Sequence, residues 1–98
     1  MRKKNEIESI KRKILPVLKK QKVTKAGIFG SYARGEQTAK SDVDILVEIN
    51  QNIGLIGLIS LKMRIENAIK KKIDLVEYES IREELKEVIL SEEIPILR

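Results

Sequence analysis

The sequence contains neither cysteine nor histidine among its 98 residues. Without cysteine, nothing in the chain requires an oxidising compartment, which favours a cytoplasmic protein. Without histidine, the chain lacks the commonest general base and the commonest ligand of transition metals. Any catalysis must therefore use carboxylates, basic side chains, hydroxyl groups and hard metal ions.

Aromatic residues and long apolar runs are also scarce. Only 3% of the residues are aromatic, so the bases of a nucleic acid would find few side chains on which to stack. The apolar runs are too short to span a bilayer, and charges interrupt the basic N-terminal region. The sequence therefore predicts neither a transmembrane helix nor a signal peptide.

The residues that are abundant indicate one small folded domain. Apolar residues make up 42% of the chain and charged residues 36%, which predicts a single domain over residues 1–98 with one modest core. The net charge of +5 could attract nucleic acid or another anionic partner. The basic runs at Arg2–Lys4, Lys19–Lys22 and Lys70–Lys72 are nevertheless typical of solvated helix ends, so direct nucleic-acid binding is not expected.

The N-terminal region has the periodicity of an amphipathic helix. Its apolar positions are Ile7, Ile10, Ile14 and Leu18. Asn5 and Glu8 have the spacing of a capping box at the start of this helix. Pro16 interrupts the pattern, and it either kinks the helix or begins a second short one at its first position.

The rest of the chain alternates between predicted strands and helices. Strands are expected at residues 23–29, 43–49 and 73–78, and helices at residues 31–35, 55–71 and after a second capping box formed by Ser80 and Glu83. Residues 92–98 are expected to be a tail without regular structure, because Pro95 interrupts it. The predicted fold class is α/β (α+β), a small mixed sheet of about three core strands with helices packed on one face.

A short motif between the first two predicted strands carries the chemistry. Gly30 and Ser31 end the first strand, and Asp42 and Asp44 begin the second. Residues two apart on a strand share a face, so these aspartates should project side by side, where they repel each other unless a cation lies between them. Their hard oxygen atoms suit Mg²⁺. The Gly-Ser pair suits phosphate, because glycine permits close approach of the backbone and serine presents a hydroxyl group.

The spacing of this motif resembles that of the DNA polymerase β-like nucleotidyltransferase superfamily. Residues 29–36, FGSYARGE, and residues 41–48, SDVDILVE, are similar to its minimal branch, the MNT proteins that are paired with HEPN toxins. The similarity runs from about Ile14 to the C-terminus and includes residues 72–76, KIDLV, as the strand of a third carboxylate. It implies a polymerase β-like nucleotidyltransferase fold.

The resemblance also implies an activity and a site. Asp42, Asp44 and Asp74 would bind one or two Mg²⁺ ions, and Asp74 would help to deprotonate the attacking hydroxyl group. With ATP as substrate, the protein would be an adenylyltransferase antitoxin that transfers AMP onto a hydroxyl group, typically of tyrosine, on a cognate HEPN ribonuclease toxin. Considered alone, Asp74 could equally be a charge that protects an edge strand from aggregation.

The remaining motif residues have two interpretations each. Ser31 could cap a short helix, bind phosphate, or do both. Arg34 could contact phosphates or pair with Glu36 or Glu48. Ser41 is a candidate for the nucleotide site, although fixing the loop is the simpler role. Tyr32 is expected to be partly buried with its hydroxyl group at the surface.

Two other functions remain open. The chain could be a small-molecule transferase of the aminoglycoside type, although those usually carry an extra domain for the acceptor. It could instead neutralise a partner by binding alone, although the intact aspartates argue against a pseudoenzyme. Two apolar segments are candidate partner surfaces, and either could instead fold back onto the core. They are residues 94–97 and the group Ile53, Leu55 and Ile56.

Overall fold

The computed structural model describes residues 2–98, which form four α-helices and one four-stranded sheet. The helices are α1 (Arg2–Lys20), α2 (Gly30–Arg34), α3 (Gly54–Ile69) and α4 (Glu83–Glu92). The strands are β1 (Val23–Phe29), β2 (Val43–Ile49), β3 (Ile73–Glu77) and β4 (Ile94–Leu97). A 3-10 turn, Tyr78–Ser80, precedes α4. Within residues 2–98, no helix combines the length and apolarity needed to cross a bilayer.

The N-terminal helix α1 runs through Pro16 without ending there. Ile10, Ile14 and Leu18 are buried on both sides of this proline. Their burial in the core outweighs the hydrogen bond that the proline removes, because tertiary packing supplies most of the stability of a helix in a protein. A second helix beginning at Pro16 is therefore excluded. Asn5 lies inside α1, so the predicted cap at Asn5 is wrong.

The sheet is mixed, with strand order β3-β2-β1-β4. β2 and β3 are parallel and are joined through α3, whereas β1 is antiparallel to both β2 and β4. This arrangement confirms the predicted α/β class and adds one strand to the expected three.

The additional strand is the C-terminal segment that was expected to have no regular structure. Residues 94–97 pair with the free edge of β1, where Pro95 lies opposite Gly27. Proline is tolerated there because β4 is an edge strand. An edge strand pairs on one side only, so a residue without an N–H group can face the unpaired side without loss of a hydrogen bond. The prediction failed because an available strand edge is a property of the folded sheet and not of this segment. The segment is accordingly not a free partner surface.

The core lies between one face of the sheet and the helices α1 and α3. Its fully buried strand residues include Ile28, Val43, Ile45 and Val47, and α3 contributes Leu61 and Ile65. On the opposite face, Glu93 at the end of α4 covers Gly27, where an added Cβ would lie 2.0 Å from Glu93 Oε2. Glu93 accepts hydrogen bonds there from Tyr78 and Arg98. The end of α4 thus covers one part of this face, and the strand ends that carry the aspartates lie on another.

The start of α4 differs from the prediction. Ser80 belongs to the 3-10 turn, and Arg82 is the residue that flanks α4, with no capping bond from its side chain. The Ser80–Glu83 capping box is therefore wrong. The buried side chain of Ile81, and not a cap, anchors this connection.

We expect the core to depend on Leu61, which is only 1% exposed on α3. Leu61→Ala should lower the free energy of unfolding by about 2–5 kcal/mol, because it removes buried methyl groups and leaves a cavity. Leu85→Ala on α4, where leucine is 48% exposed, is the matched control and should cost less than about 1 kcal/mol. Urea unfolding followed by circular dichroism measures both. Equal losses would contradict this placement of the core.

Candidate active site

Asp44 and Asp74 occupy matching positions on neighbouring strands. In the parallel pair of β2 and β3, the Cα of Asp44 is the partner of the Cα of Asp74. Adjacent strands lie about 4.8 Å apart, and paired residues project from the same face. The sequence could not show this pairing, since the two residues are separated by a complete helix. The fold brings the third candidate carboxylate beside the motif.

Asp42 completes a cluster of three carboxylates. It lies just before β2 and is exposed, whereas Asp44 is partly buried. Burial is the main cause that raises the pKa of Asp44 to about 6; the negative charges of Asp74 and then Asp42 contribute to this rise, and Arg34 opposes it. The shift shows that these four side chains share one electrostatic environment in which negative charge is in excess.

Gly30 fits tightly against the carboxylate of Asp44. Its φ angle of +74° lies in the left-handed region, which side chains disfavour, and a Cβ there would lie 2.0 Å from Asp44 Oδ2. Since Phe29 pairs with Asp44 across the sheet, the chain must turn at the next residue to begin α2. Glycine at this position therefore allows both the turn and the approach of α2 to Asp44.

Ser31 is the second residue of α2 and does not cap it. Phe29 flanks the helix, and no side-chain capping bond is made there, so the predicted cap at Ser31 is wrong. In the part of the chain that the structure describes, the Ser31 hydroxyl group makes no hydrogen bond. That hydroxyl group is therefore available to a ligand beside Gly30.

Arg34 pairs with two carboxylates at the rim of the cluster. Its Nε lies 2.9 Å from Glu36 Oε1, and its Nη1 lies 3.8 Å from Glu92 Oε2. The hydrogen bond to Glu36 is the main reason why the pKa of Arg34 is raised. Glu48, the other predicted partner, instead accepts a hydrogen bond from Thr24. The contact with Glu92 could not be predicted from the sequence, because only the packing of α4 near α2 brings Glu92 to Arg34.

Ser41 holds the loop between α2 and β2. Its Oγ accepts a hydrogen bond from the backbone N–H of Thr38 at 2.9 Å, and the two hydroxyl oxygens are 3.3 Å apart. This is the loop-fixing role expected from the sequence. It also fixes the position of the chain immediately before Asp42, at the entry to β2.

Tyr32 is fully buried, contrary to the expected position of its hydroxyl group at the surface. The ring belongs to the core cluster, and the hydroxyl group has no hydrogen-bond partner within residues 2–98. Lys71 Nζ lies 6.0 Å from the ring centroid. Tyr32 therefore anchors α2 in the core and holds Gly30 and Ser31 in place, in a helix too short to be stable alone.

The carboxylate cluster has the chemistry of a magnesium site that is open on one side. Within residues 2–98, no group of three or more His, Cys, Asp or Glu side chains forms a ready-made cage that could hold a metal ion. Mg²⁺ does not require such a cage, since it is usually held by one or two carboxylates and completed by water and phosphate oxygens. The excess negative charge around Asp44 is what a divalent cation would neutralise. The residues present therefore fit Mg²⁺.

A separate cleft lies at the other end of the parallel strands. It has a volume of about 540 Å³ and is bounded by residues 49–55 together with Leu58, Glu77 and Glu79. Five residues of β2 separate Asp44 from Ile49, which is about 17 Å along an extended strand. The cleft and the carboxylate cluster therefore lie at different places in this molecule. We assign the candidate active site to the carboxylates, because their charges and the glycine contact act together there.

Comparison with known proteins agrees with this geometry. Residues 12–98 match the family model of the polymerase β nucleotidyltransferases. The chain belongs to this family. It is therefore a nucleotidyltransferase, and the fold implied by the motif is confirmed.

Individual relatives place the chain in the minimal branch of the family. A candidate protein adenylyltransferase of Methanocaldococcus jannaschii is 47% identical over 93% of this chain and 98% of its own length. A solved minimal nucleotidyltransferase superposes with a TM-score of 0.79 and 28% identity, over 91% of each chain. A chain from a toxin–antitoxin crystal structure with AMP-PNP gives a TM-score of 0.76 and 26% identity, over 88% of this chain and 71% of that one.

We expect Gly30→Ala to disrupt the site more than Gly35→Ala does. Both glycines have left-handed φ angles, +74° and +72°, so both variants pay a similar backbone strain of about 1–2 kcal/mol. Only at Gly30 would the new methyl group collide with Asp44, since a Cβ added at Gly35 would have no neighbouring side chain within 4 Å. Thermal unfolding and transfer activity should therefore fall further for Gly30→Ala. Equal effects would contradict the contact between Gly30 and Asp44.

We expect Asp44→Asn to stabilise the metal-free protein above pH 6. The pKa of Asp44 rises from 3.8 to about 6 on folding, so the native state binds this proton more tightly and loses stability as the pH rises between these values. Because Asp44 is partly exposed, the gain at pH 8 should be about 1–2 kcal/mol, and it should vanish near pH 3.5.

Urea unfolding in EDTA at several pH values tests this expectation. The exposed Glu87→Gln on α4 is the matched control for removal of one carboxylate and should show no such gain. Added Mg²⁺ should stabilise the parent protein more than it stabilises the Asp44→Asn variant, because only the parent protein retains the carboxylate of Asp44 as a metal ligand. If the Asp44→Asn variant were more stable by the same amount at every pH, the raised pKa of Asp44 would be contradicted.

Proposed function

We propose that this chain is a Mg²⁺-dependent protein adenylyltransferase that transfers AMP from ATP to a hydroxyl group of a partner protein. The partner is a HEPN ribonuclease toxin and the acceptor is a tyrosine, so the chain acts as the antitoxin. The observation that carries the proposal is the carboxylate cluster beside Gly30: Asp44 and Asp74 share one face, Asp42 adjoins them, and the pKa of Asp44 is raised to about 6.

The reaction needs one bond to form and one to break. The acceptor oxygen attacks the α-phosphorus of ATP, the bond between the α-phosphorus and the bridging oxygen breaks, and pyrophosphate leaves. The hydroxyl proton passes to a carboxylate of the cluster, in the role that we assign to Asp74, since the chain contains no histidine. Asp74 is exposed and lies beside Asp44, where an incoming acceptor can reach it.

Asp42 and Asp44, with Asp74, are the residues that would hold Mg²⁺. When bound there, one or two ions would stabilise charge on the α-phosphate and on the departing pyrophosphate. Without a cation, three neighbouring carboxylates would repel the triphosphate. Burial is the largest cause of the raised pKa of Asp44, and repulsion by Asp74 and Asp42 adds to it.

The triphosphate would lie along the start of α2. Gly30 leaves space at the backbone, and the Ser31 hydroxyl group has no partner within residues 2–98. Arg34, whose side chain is 44% exposed, can turn from Glu36 and Glu92 towards phosphate oxygens. Ser41 supports this site through the loop, since its hydroxyl group is already engaged with Thr38.

The openness of the cluster supports a protein as the acceptor. Asp42 and Asp74 are exposed, and the 540 Å³ cleft lies at the opposite ends of their strands. A small acceptor would need a pocket beside the carboxylates, whereas a folded protein brings its own binding surface. The similar chain from the toxin–antitoxin complex was crystallised with AMP-PNP, an ATP analogue, which agrees with a nucleotide-dependent antitoxin.

The test combines the purified protein, ATP, Mg²⁺ and the purified candidate toxin, with intact mass as the readout. The toxin should gain one or more AMP residues and lose its ribonuclease activity. The double variant Asp42→Asn/Asp44→Asn should be slower by at least about a thousandfold, because stabilisation of several kcal/mol is lost. The exposed Glu87→Gln is the control and should retain full activity.

Three outcomes would oppose the proposal in different ways. Equal turnover by the folded double variant, or turnover unaffected by EDTA, would refute the metal-dependent mechanism. Neutralisation by the double variant at stoichiometric ratio, without a mass change, would indicate an antitoxin that acts by binding alone. Modification of an aminoglycoside in the absence of any protein partner would support the small-molecule alternative and leave the nucleotidyltransferase assignment intact.

A further inference from the structure

The first half of α3 exposes an apolar surface that the site does not use. Leu55, Ile56, Ile59 and Met63 are 73%, 84%, 49% and 57% exposed. We call these four side chains the α3 seam. Single exposed apolar residues are ordinary on a protein surface, but a contiguous group of four large ones usually marks an interface.

The α3 seam has the spacing of a helix-packing surface. Ile56, Ile59 and Met63 are separated by three and then four residues, so they align along one face over two turns. The opposite face of α3 is already buried through Leu61 and Ile65. A helix that is apolar on two faces is normally covered on both.

Charges of opposite sign lie at the two ends of one flank of the α3 seam. The 540 Å³ cleft at the start of α3 is bounded by Leu55 and Leu58 and carries the carboxylates of Glu77 and Glu79. Lys62 lies four residues beyond Leu58, hence on the same flank but one turn further along. Within residues 2–98, none of these three charged side chains makes an ion pair.

We propose that the α3 seam binds the α3 seam of a second copy of this chain, with the two helices antiparallel about a two-fold axis near Ile59. In a two-fold interface, a residue that contacts a given position is contacted by that same position in return. The antiparallel arrangement places the later part of each seam against the earlier part of the other. Lys62 of each copy therefore approaches the Glu77–Glu79 cleft of its partner, on the flank that they share.

The charge pattern favours a second copy over other occupants. A surface that carries both the acidic cleft and the matching lysine on one flank is complementary to itself when rotated by 180°. The exposed large apolar residues of α4, which are Leu85, Val88 and Leu90, do not line this cleft and are not included. Because α3 packs on the core face of the sheet and Asp44 belongs to the opposite face of β2, this interface leaves both carboxylate clusters accessible.

Sedimentation equilibrium of the purified protein between about 1 and 200 μM tests the proposal. The expected species at high concentration is a dimer of twice the 11.2 kDa chain mass. Ile56→Asp should weaken dimerisation by at least about a hundredfold, because it buries a charge within the interface. Ile56 is 84% exposed in the monomer, so circular dichroism should show an unchanged fold. Val88→Asp on α4, where valine is 57% exposed, is the matched control and should leave the dimer intact.

A charge exchange tests the antiparallel register independently of the apolar contacts. Lys62→Glu and Glu79→Lys should each weaken the dimer about tenfold, and the double variant should recover much of the loss, since the pair is restored with its signs reversed. A monomer at every concentration would overturn the proposal. A dimer insensitive to Ile56→Asp would do the same, as would binding of this face to the toxin alone. Losses that simply add in the double variant would overturn the register.

Discussion

The site depends on the crowding of negative charge around Asp44. Its carboxylate is partly buried between Gly30 and the neighbouring Asp74, with Asp42 two residues away, and the consequence is a pKa near 6. A protein optimised only for stability would not retain this arrangement, because each neighbour disfavours the charged form. The surrounding structure holds the carboxylates together against their repulsion, which a bound cation would relieve.

The elements that hold Asp44 in place are packed on the other face of the sheet. β2 alternates between core residues such as Ile45 and cluster residues such as Asp44, so burial of one set fixes the direction of the other. Tyr32 performs the same function for α2, because its fully buried ring attaches a helix of only five residues to the core. A rigid core face and an open charged face are thus produced by the same strands. This division explains how a chain of 98 residues can carry a cluster of carboxylates on the face of the sheet opposite its core.

The C-terminal segment contacts the rim of the cluster through Glu92 and the sheet through β4. Glu92 at the end of α4 reaches Arg34 at the rim of the cluster, and residues 94–97 then complete the sheet beside β1. The same region covers Gly27 with the buried carboxylate of Glu93. The C-terminal segment therefore supports the site from outside the motif. Its contribution comes from position, since none of these residues belongs to the motif of residues 29–48.

The sequence alone determined the two strands around the motif, the aspartates two residues apart, and the glycine and serine that precede them, because these features follow from local periodicity and from the chemistry of neighbouring residues. Tertiary structure decided four other features. They are the register that puts Asp74 beside Asp44, the burial of the Tyr32 hydroxyl group, the contact of Glu92 with Arg34, and the pairing of residues 94–97 with β1. Local signals also misplaced the caps at Asn5, Ser31 and Ser80, since packing of the apolar faces sets where those helices begin. Contacts between residues far apart in the chain depend on which faces and edges remain free once the core has formed, and no local pattern encodes that.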